Sequence, residues 1–252
     1  MTEYSGSGDP LRTFALLWRK RDREAPASKT GLSLERIVEA AIAIADSDGL
    51  SALSMRRVAE KLGVGAMTLY RYVPSKAELI DVMLDTAIGG PEPLDEVPGD
   101  WRAKLEFAAR NEWAFFLAHP WAVQIAEARP VLGPNVLGGF EAILRVVSDI
   151  GLDEREMLGV VQLVHLYVRG AAREAVEQAE AARRTGVSDE QWWQERERFW
   201  EDFFSTNRFP LITRLWQTDA YGSPDETFEF GLQRLLDGVA VLVAARAADD
   251  GG

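Results

Sequence analysis

Residues 54–76, SMRRVAEKLGVGAMTLYRYVPSK, constrain this chain more than any other stretch. Ser54 suits a helix N-cap, and Leu53 and Val58 are spaced as a hydrophobic staple. Val58, Ala59 and Leu62 form an apolar stripe at helical spacing, and Gly63 supplies a stop. Beyond the Gly63-Val64-Gly65 turn, Leu69 and Val73 lie four apart and can pack on that stripe. Ala66, Thr68, Tyr70, Arg71 and Tyr72 are left with little core to occupy. Pro74 ends the second helix, because the residue before proline is pushed out of the α region. Two short helices about a tight turn, the second rich in outward polar and aromatic groups, make a helix-turn-helix. That unit lays its second helix in a DNA major groove.

From about Leu32 to Ile88 the chain resembles the DNA-binding domain of TetR-family repressors, carried by GLSALSMRRVAEKLGV and then TLYRYVPSKAEL. By position in that pattern, the resemblance implies that Arg56 reads a base from the first helix of the unit. Ala66, Met67, Thr68, Tyr70, Arg71 and Tyr72 match the contact positions of the recognition helix. Lys76 matches a phosphate clamp, where its ammonium and free backbone N–H groups converge on one anion. The chain departs from the founding members at Ala66, which cannot hydrogen-bond a base, and at Arg71. A different operator is expected, with Ala66 or Met67 on a thymine methyl and Arg71 on a guanine or phosphate. The resemblance also implies a homodimer on a palindromic double-stranded operator, released by a small-molecule effector.

A net charge of −12 looks wrong for a DNA binder until it is divided. Residues 1–88 hold twelve basic and twelve acidic side chains, so the whole excess lies in residues 89–252. Basic residues cluster at Arg19, Lys20, Arg21, Arg23 and Lys29, then at Arg56, Arg57, Lys61, Arg71 and Lys76. An acidic body behind a locally basic face limits non-specific attachment to DNA while leaving phosphate contacts available. With no cysteine, disulfides and thiolate metal sites are excluded. No leader-like segment and no apolar run of the ~18 residues needed to cross a bilayer is visible, so a cytoplasmic protein with no membrane partner is expected.

The fold expected is all-α, in three parts: an arm over 1–31, the helix-turn-helix domain over 32–88, and a ligand-binding and dimerisation domain over 100–247. Residues 1–10, rich in Gly and Ser, read as disordered, and Leu11–Arg23 as a short helix. The basic segment KRDREAPASKTG either enters the minor groove or is a solvated linker. Ser75-Lys76-Ala77-Glu78 reads as a capping box opening a helix to about Ile88, and GGPEPLDEVPGD as the domain boundary. Helices are expected near 100–118, 120–129, 135–150, 154–184, 189–206, 208–217 and 225–247. In the last of these, Phe228, Leu232, Leu235, Leu236, Val239, Leu242 and Val243 make a stripe broader than one monomer face usually needs. The resemblance implies that this helix and 154–184 pair with their copies in a dimer.

Catalytic readings fail for want of parts. Two histidines, His119 and His165, lie apart with no cysteine, and no nucleophile elbow, Walker loop or HExxH is present, so no catalytic residue, metal or cofactor is expected. An effector site fits better. The second half is aromatic-rich, and polar groups are set into apolar helices. Trp113, Phe116, Phe140, Gln162, His165 and Arg169 are the candidates, for an apolar or aromatic molecule. A helical small-molecule-binding protein or enzyme with a vestigial helix-turn-helix stays open as the alternative.

Overall fold

The computed structural model describes residues 5–19, 31–90, 93–125, 129–188, 191–196, 208–218, 220 and 222–249. All regular structure among them is helical. The head of the molecule, which carries the helix-turn-helix, comprises α2 (Leu34–Asp48), α3 (Met55–Leu62), α4 (Ala66–Leu69) and α5 (Lys76–Ile88), preceded by α1 (Pro10–Arg19). Ser33 and Ser54 accept the amides of Arg36 and Arg57, which fixes where α2 and α3 begin. Gly63, at φ 68°, ends α3 by donating its amide to the Ala59 and Glu60 carbonyls, a left-handed cap that only glycine adopts without strain. Val58, Leu69, Val73, Leu79, Ile80 and Met83 are buried together, so the turn is clamped from both sides.

The second half contains α6 (Trp101–Ala118), α7 (Pro120–Gln124), α8 (Pro134–Val147), α9 (Glu154–Thr185), α10 (Pro210–Gln217) and α11 (Pro224–Asp249). Polar contacts show that α6 and α11 run antiparallel. Arg102 Nη2 donates to Asp237 Oδ1 (2.9 Å), Arg110 Nη2 to Glu229 Oε1 (2.6 Å), and Trp113 Nε1 to Asp225 Oδ1 (3.0 Å). The α9 and α11 helices are antiparallel too, joined by Arg246 to Glu156 at one end and the Tyr167 hydroxyl to the Phe228 carbonyl (2.8 Å) towards the other. A Cβ at Gly231 would collide with the Tyr167 ring, so glycine is what lets the phenol reach α11. Buried side chains of both halves form one continuous apolar cluster.

Four expectations change. Residues 1–4 lie outside the described part, but Ser5–Asp9, read as disordered, are docked. Ser5 is buried, and Gly6 and Asp9 donate their amides to Asp81 Oδ1 (3.0 Å) and Glu78 Oε1 (3.1 Å). Small residues are there for close approach, since a Cβ at Gly8 would stand 2.9 Å from Glu78 Cδ. The capping box read at Ser75–Glu78 does not close: Ser75 caps the Ala77 amide, and the Glu78 carboxylate takes the Ser75 hydroxyl and the Asp9 amide, so that it serves the N-terminal segment.

The helix expected over 120–129 stops at Gln124, with Ile125 extended. Arg169 of α9 donates to the Val123 and Ile125 carbonyls, offering the helix end a different partner. The apolar stripe of α11 is consumed inside the chain: Phe228, Leu232, Leu236 and Val239 are buried and Leu235 packs on them. Of the helix expected over 189–206, residues 191–196 are described and helical. The basic arm at 20–29 lies outside the described residues.

Candidate nucleic-acid interface and effector site

Burial sorts the side chains of α3 and α4. Leu69 and Val73 point into the core, Ala66 and Tyr72 pack against it, and Thr68 is half-buried. Met67, 78% exposed, and Tyr70 and Arg71 face outward. Arg56 stands out from α3 with Nε 2.8 Å from Glu60 Oε1, both side chains largely in solvent. Arg57 pairs with Asp48 at the end of α2. Exposed pairs of this kind contribute little to stability, so Arg56 can be redirected to a base edge at small cost. Lys76 occupies the first turn of α5, beside the α4–α5 turn, where the positive end of a helix favours an anion.

Between the head and the second half lie two polar junctions. The Asp85 carboxylate is buried on α5 and accepts the amides of Asn135 and Val136, both at 3.0 Å. It does for α8 what Gly133, the N-cap residue, has no side chain to do. On the other side Asp46 of α2 accepts the indole N–H of Trp121 (2.6 Å) and lies 2.8 Å from His119 Nδ1. His119 is thus a structural joint between α2 and the start of α7.

The six effector candidates do not form one cluster. Trp113 and Phe116 are buried, and Trp113 stacks on Phe228 with centroids 4.3 Å apart. His165 meets Glu112 of α6 (Nδ1 to Oε1, 2.6 Å), and Arg169 holds the end of α7. Phe140 on α8 is partly exposed, and Gln162 sits on the outer face of α9 beside Leu163 and Leu166. Glu112, Tyr167, Phe228 and Asp46 carry contacts that the sequence reading missed; only a partner search for each buried polar group would have found them. No group of three His, Asp or Glu residues converges in a metal-holding arrangement among the described residues.

Comparison with known proteins bears on both halves. Residues 37–83 match the family model described as bacterial regulatory proteins, tetR family. Residues 92–243 match the tetracyclin repressor-like C-terminal domain. A Streptomyces coeruleorubidus protein named HTH-type transcriptional repressor DrrR1 is 45% identical over 249 residues, covering 98% of this chain and 92% of its own. Crystal structures of the TetR-family protein ActR from Streptomyces coelicolor superpose with a TM-score of 0.69 at 28% identity, in complex with actinorhodin and with (S)-DNPA. Each aligns with 86% of this chain, and with 97% and 99% of ActR respectively.

Proposed function

The chain belongs to the TetR family of bacterial regulatory proteins and is a ligand-responsive transcriptional repressor; from that premise we infer that a homodimer grips a palindromic operator and leaves it when a small apolar or aromatic molecule enters the second half of each subunit. The observation that carries this reading is the placement of α5. It starts in the turn after the recognition helix and ends against the N-terminus of α8, through Asp85. A change of packing in the effector domain therefore reaches the reading head along one helix. Half-sites on one face of DNA lie about 34–36 Å apart, so a tilt that shifts the heads by a few ångströms loses one of them. Only a ligand that binds this shifted arrangement better than the operator-bound one can drive the release.

Arg56, Met67, Tyr70 and Arg71 are the proposed base and backbone contacts, with Thr68 and Lys76 on phosphate, and Ala66 and Tyr72 setting how closely the helix approaches. The proposed effector seat lies where α6, α8 and α9 pack on one another, beside the Glu112–His165 pair. Actinorhodin and (S)-DNPA, bound by ActR, are the first molecules to try. The test is a gel shift on the promoter region flanking the gene, with either molecule titrated in. Release of DNA at saturating ligand supports the reading. A ligand that binds the protein and leaves operator affinity unchanged overturns it.

A further inference from the structure

The N-terminal segment is bonded to both halves at once, a role that the helix-turn-helix does not need. Ser5 Oγ donates to the Arg129 carbonyl (2.7 Å) and Trp18 Nε1 to the Leu132 carbonyl (3.0 Å), both in the corner that leads into α8. Between these anchors, the Gly6 and Asp9 amides donate to Asp81 and Glu78 on α5. Leu16 and Leu17 are buried in the common core, and α1 packs along α5. The seat on α5 is specific. Glu78, Asp81 and Asp85 are the buried acids of that helix, spaced so that they share one face, and all three accept backbone N–H groups from outside the reading head.

We propose that residues 5–18 form a clamp that fixes the tilt of α5 against the 129–132 corner and so sets how readily the reading head moves. The inference rests on the reading of α5 as the lever between operator and effector. Any rotation of α5 away from that corner must break the Ser5 and Trp18 bonds or pull Gly6 and Asp9 off their carboxylates. A free tail would have no use for two glycines placed against side chains: Gly6 has φ +63° with its Cβ position 3.1 Å from Arg129 Cβ, and Gly8 abuts Glu78. Contacts present in one of two arrangements bias the equilibrium by their differential strength.

The full chain supplies both a loosened and a locked form. Ser5→Ala with Trp18→Phe removes the two corner bonds and leaves the apolar packing in place. For the locked form, a Cβ at Gly8 would lie 3.0 Å from Glu78 Cγ, so Gly8→Cys with Glu78→Cys brings two sulfurs into bonding range in a chain with no other cysteine. An operator is first selected from random duplex DNA with the unmodified chain. Affinity for it is then measured for the loosened form and for the locked form before and after reduction. Locking and loosening should shift operator affinity in opposite directions, each by about five-fold or more. Hydrogen exchange at Asn135 and Val136 should rise in the loosened form. If both forms stay within about two-fold of the unmodified chain, or shift it the same way, the clamp is refuted. Asp85→Ala separates the two ideas: if it moves operator affinity while the clamp variants do not, the clamp falls and the lever stands. If none of them moves it, both fall.

Discussion

Asn135 donates two hydrogen bonds to Asp85: its amide to the carboxylate at 3.0 Å, and its side chain to the backbone carbonyl at 2.7 Å. One buried acid thus caps α8 from a neighbouring helix, and its backbone is held in return. The pair explains Gly133, since a Cβ there would overlap the Asp85 carboxylate.

Asp85→Ala leaves the first amides of α8 without an acceptor, and the expected loss is about 1–3 kcal/mol of folding free energy by urea denaturation. Gly133→Ala should cost a similar ~1–3 kcal/mol, through overlap. The two are not independent. In the double variant the methyl occupies space that the carboxylate has left, so the combined loss should be smaller than the two single losses added. Strict additivity would show that the carboxylate is not where Gly133 makes room for it.

Arg56→Ala should weaken the selected operator by about 1–3 kcal/mol and relax preference at one base position. Lys76→Ala should weaken all duplexes alike and flatten the salt dependence by roughly one ion. Filter binding at several salt concentrations on operator and scrambled DNA separates the two outcomes. An Arg56→Ala variant with unaltered sequence preference removes that residue from the proposed contacts.

Burial pushes the Asp81 carboxyl above its ordinary range, and the neighbouring Glu78 charge adds to this against the Gly6 amide, which favours ionisation. For Glu78 burial also pushes upward, but hydrogen bonds from Ser75, its own backbone and Asp9, with the Arg12 charge, bring it below its ordinary value. The two acids therefore act oppositely. Asp81 contributes stability at low pH that is lost as pH rises through its raised folded value, whereas Glu78 contributes stability above its unfolded value that is lost on acidification. Asp81→Asn keeps an acceptor for Gly6 and cannot ionise, so it should raise the urea midpoint at pH 7 and lose that advantage below the carboxylate range. A variant whose advantage does not shrink on acidification would contradict the assignment.

The reading head was legible because its signals are local: Ser54, Gly63 and the Leu69–Val73 spacing specify caps and a buried face within a few residues. The helix expected from Lys76 to about Ile88 was legible for the same reason, through the Ser75 cap, although Glu78 turns to Asp9 and not to the helix end. The docked N-terminus was not, because Gly and Ser read alike in a loose tail and in a close approach, and its acceptors lie some seventy residues away. Nor was the early end of α7, which depends on a guanidinium from α9. Periodicity in α11 correctly gave a buried face but carried no information on what buries it; α6 and α9 do, within one chain.

Assembly is tested at apolar residues that the subunit's own core does not claim. Val239, 3% exposed, belongs to the chain's own core, so an aspartate there would unfold the subunit rather than separate two. Left outward are Leu158, Leu163 and Leu166 on α9, with Phe230 and Val241 on α11; Leu166 is 66% and Val241 72% exposed. Apolar groups of this size on two long helices suit a seam for the homodimer inferred above, and we place it there. Leu166→Asp or Val241→Asp should keep the helical circular dichroism and urea midpoint of the isolated subunit while the mass by light scattering halves at micromolar concentration. Operator binding should fall with it, because a single head reaches one half-site. If the unmodified chain already scatters as a monomer, or if these variants remain dimeric, the proposed seam is wrong.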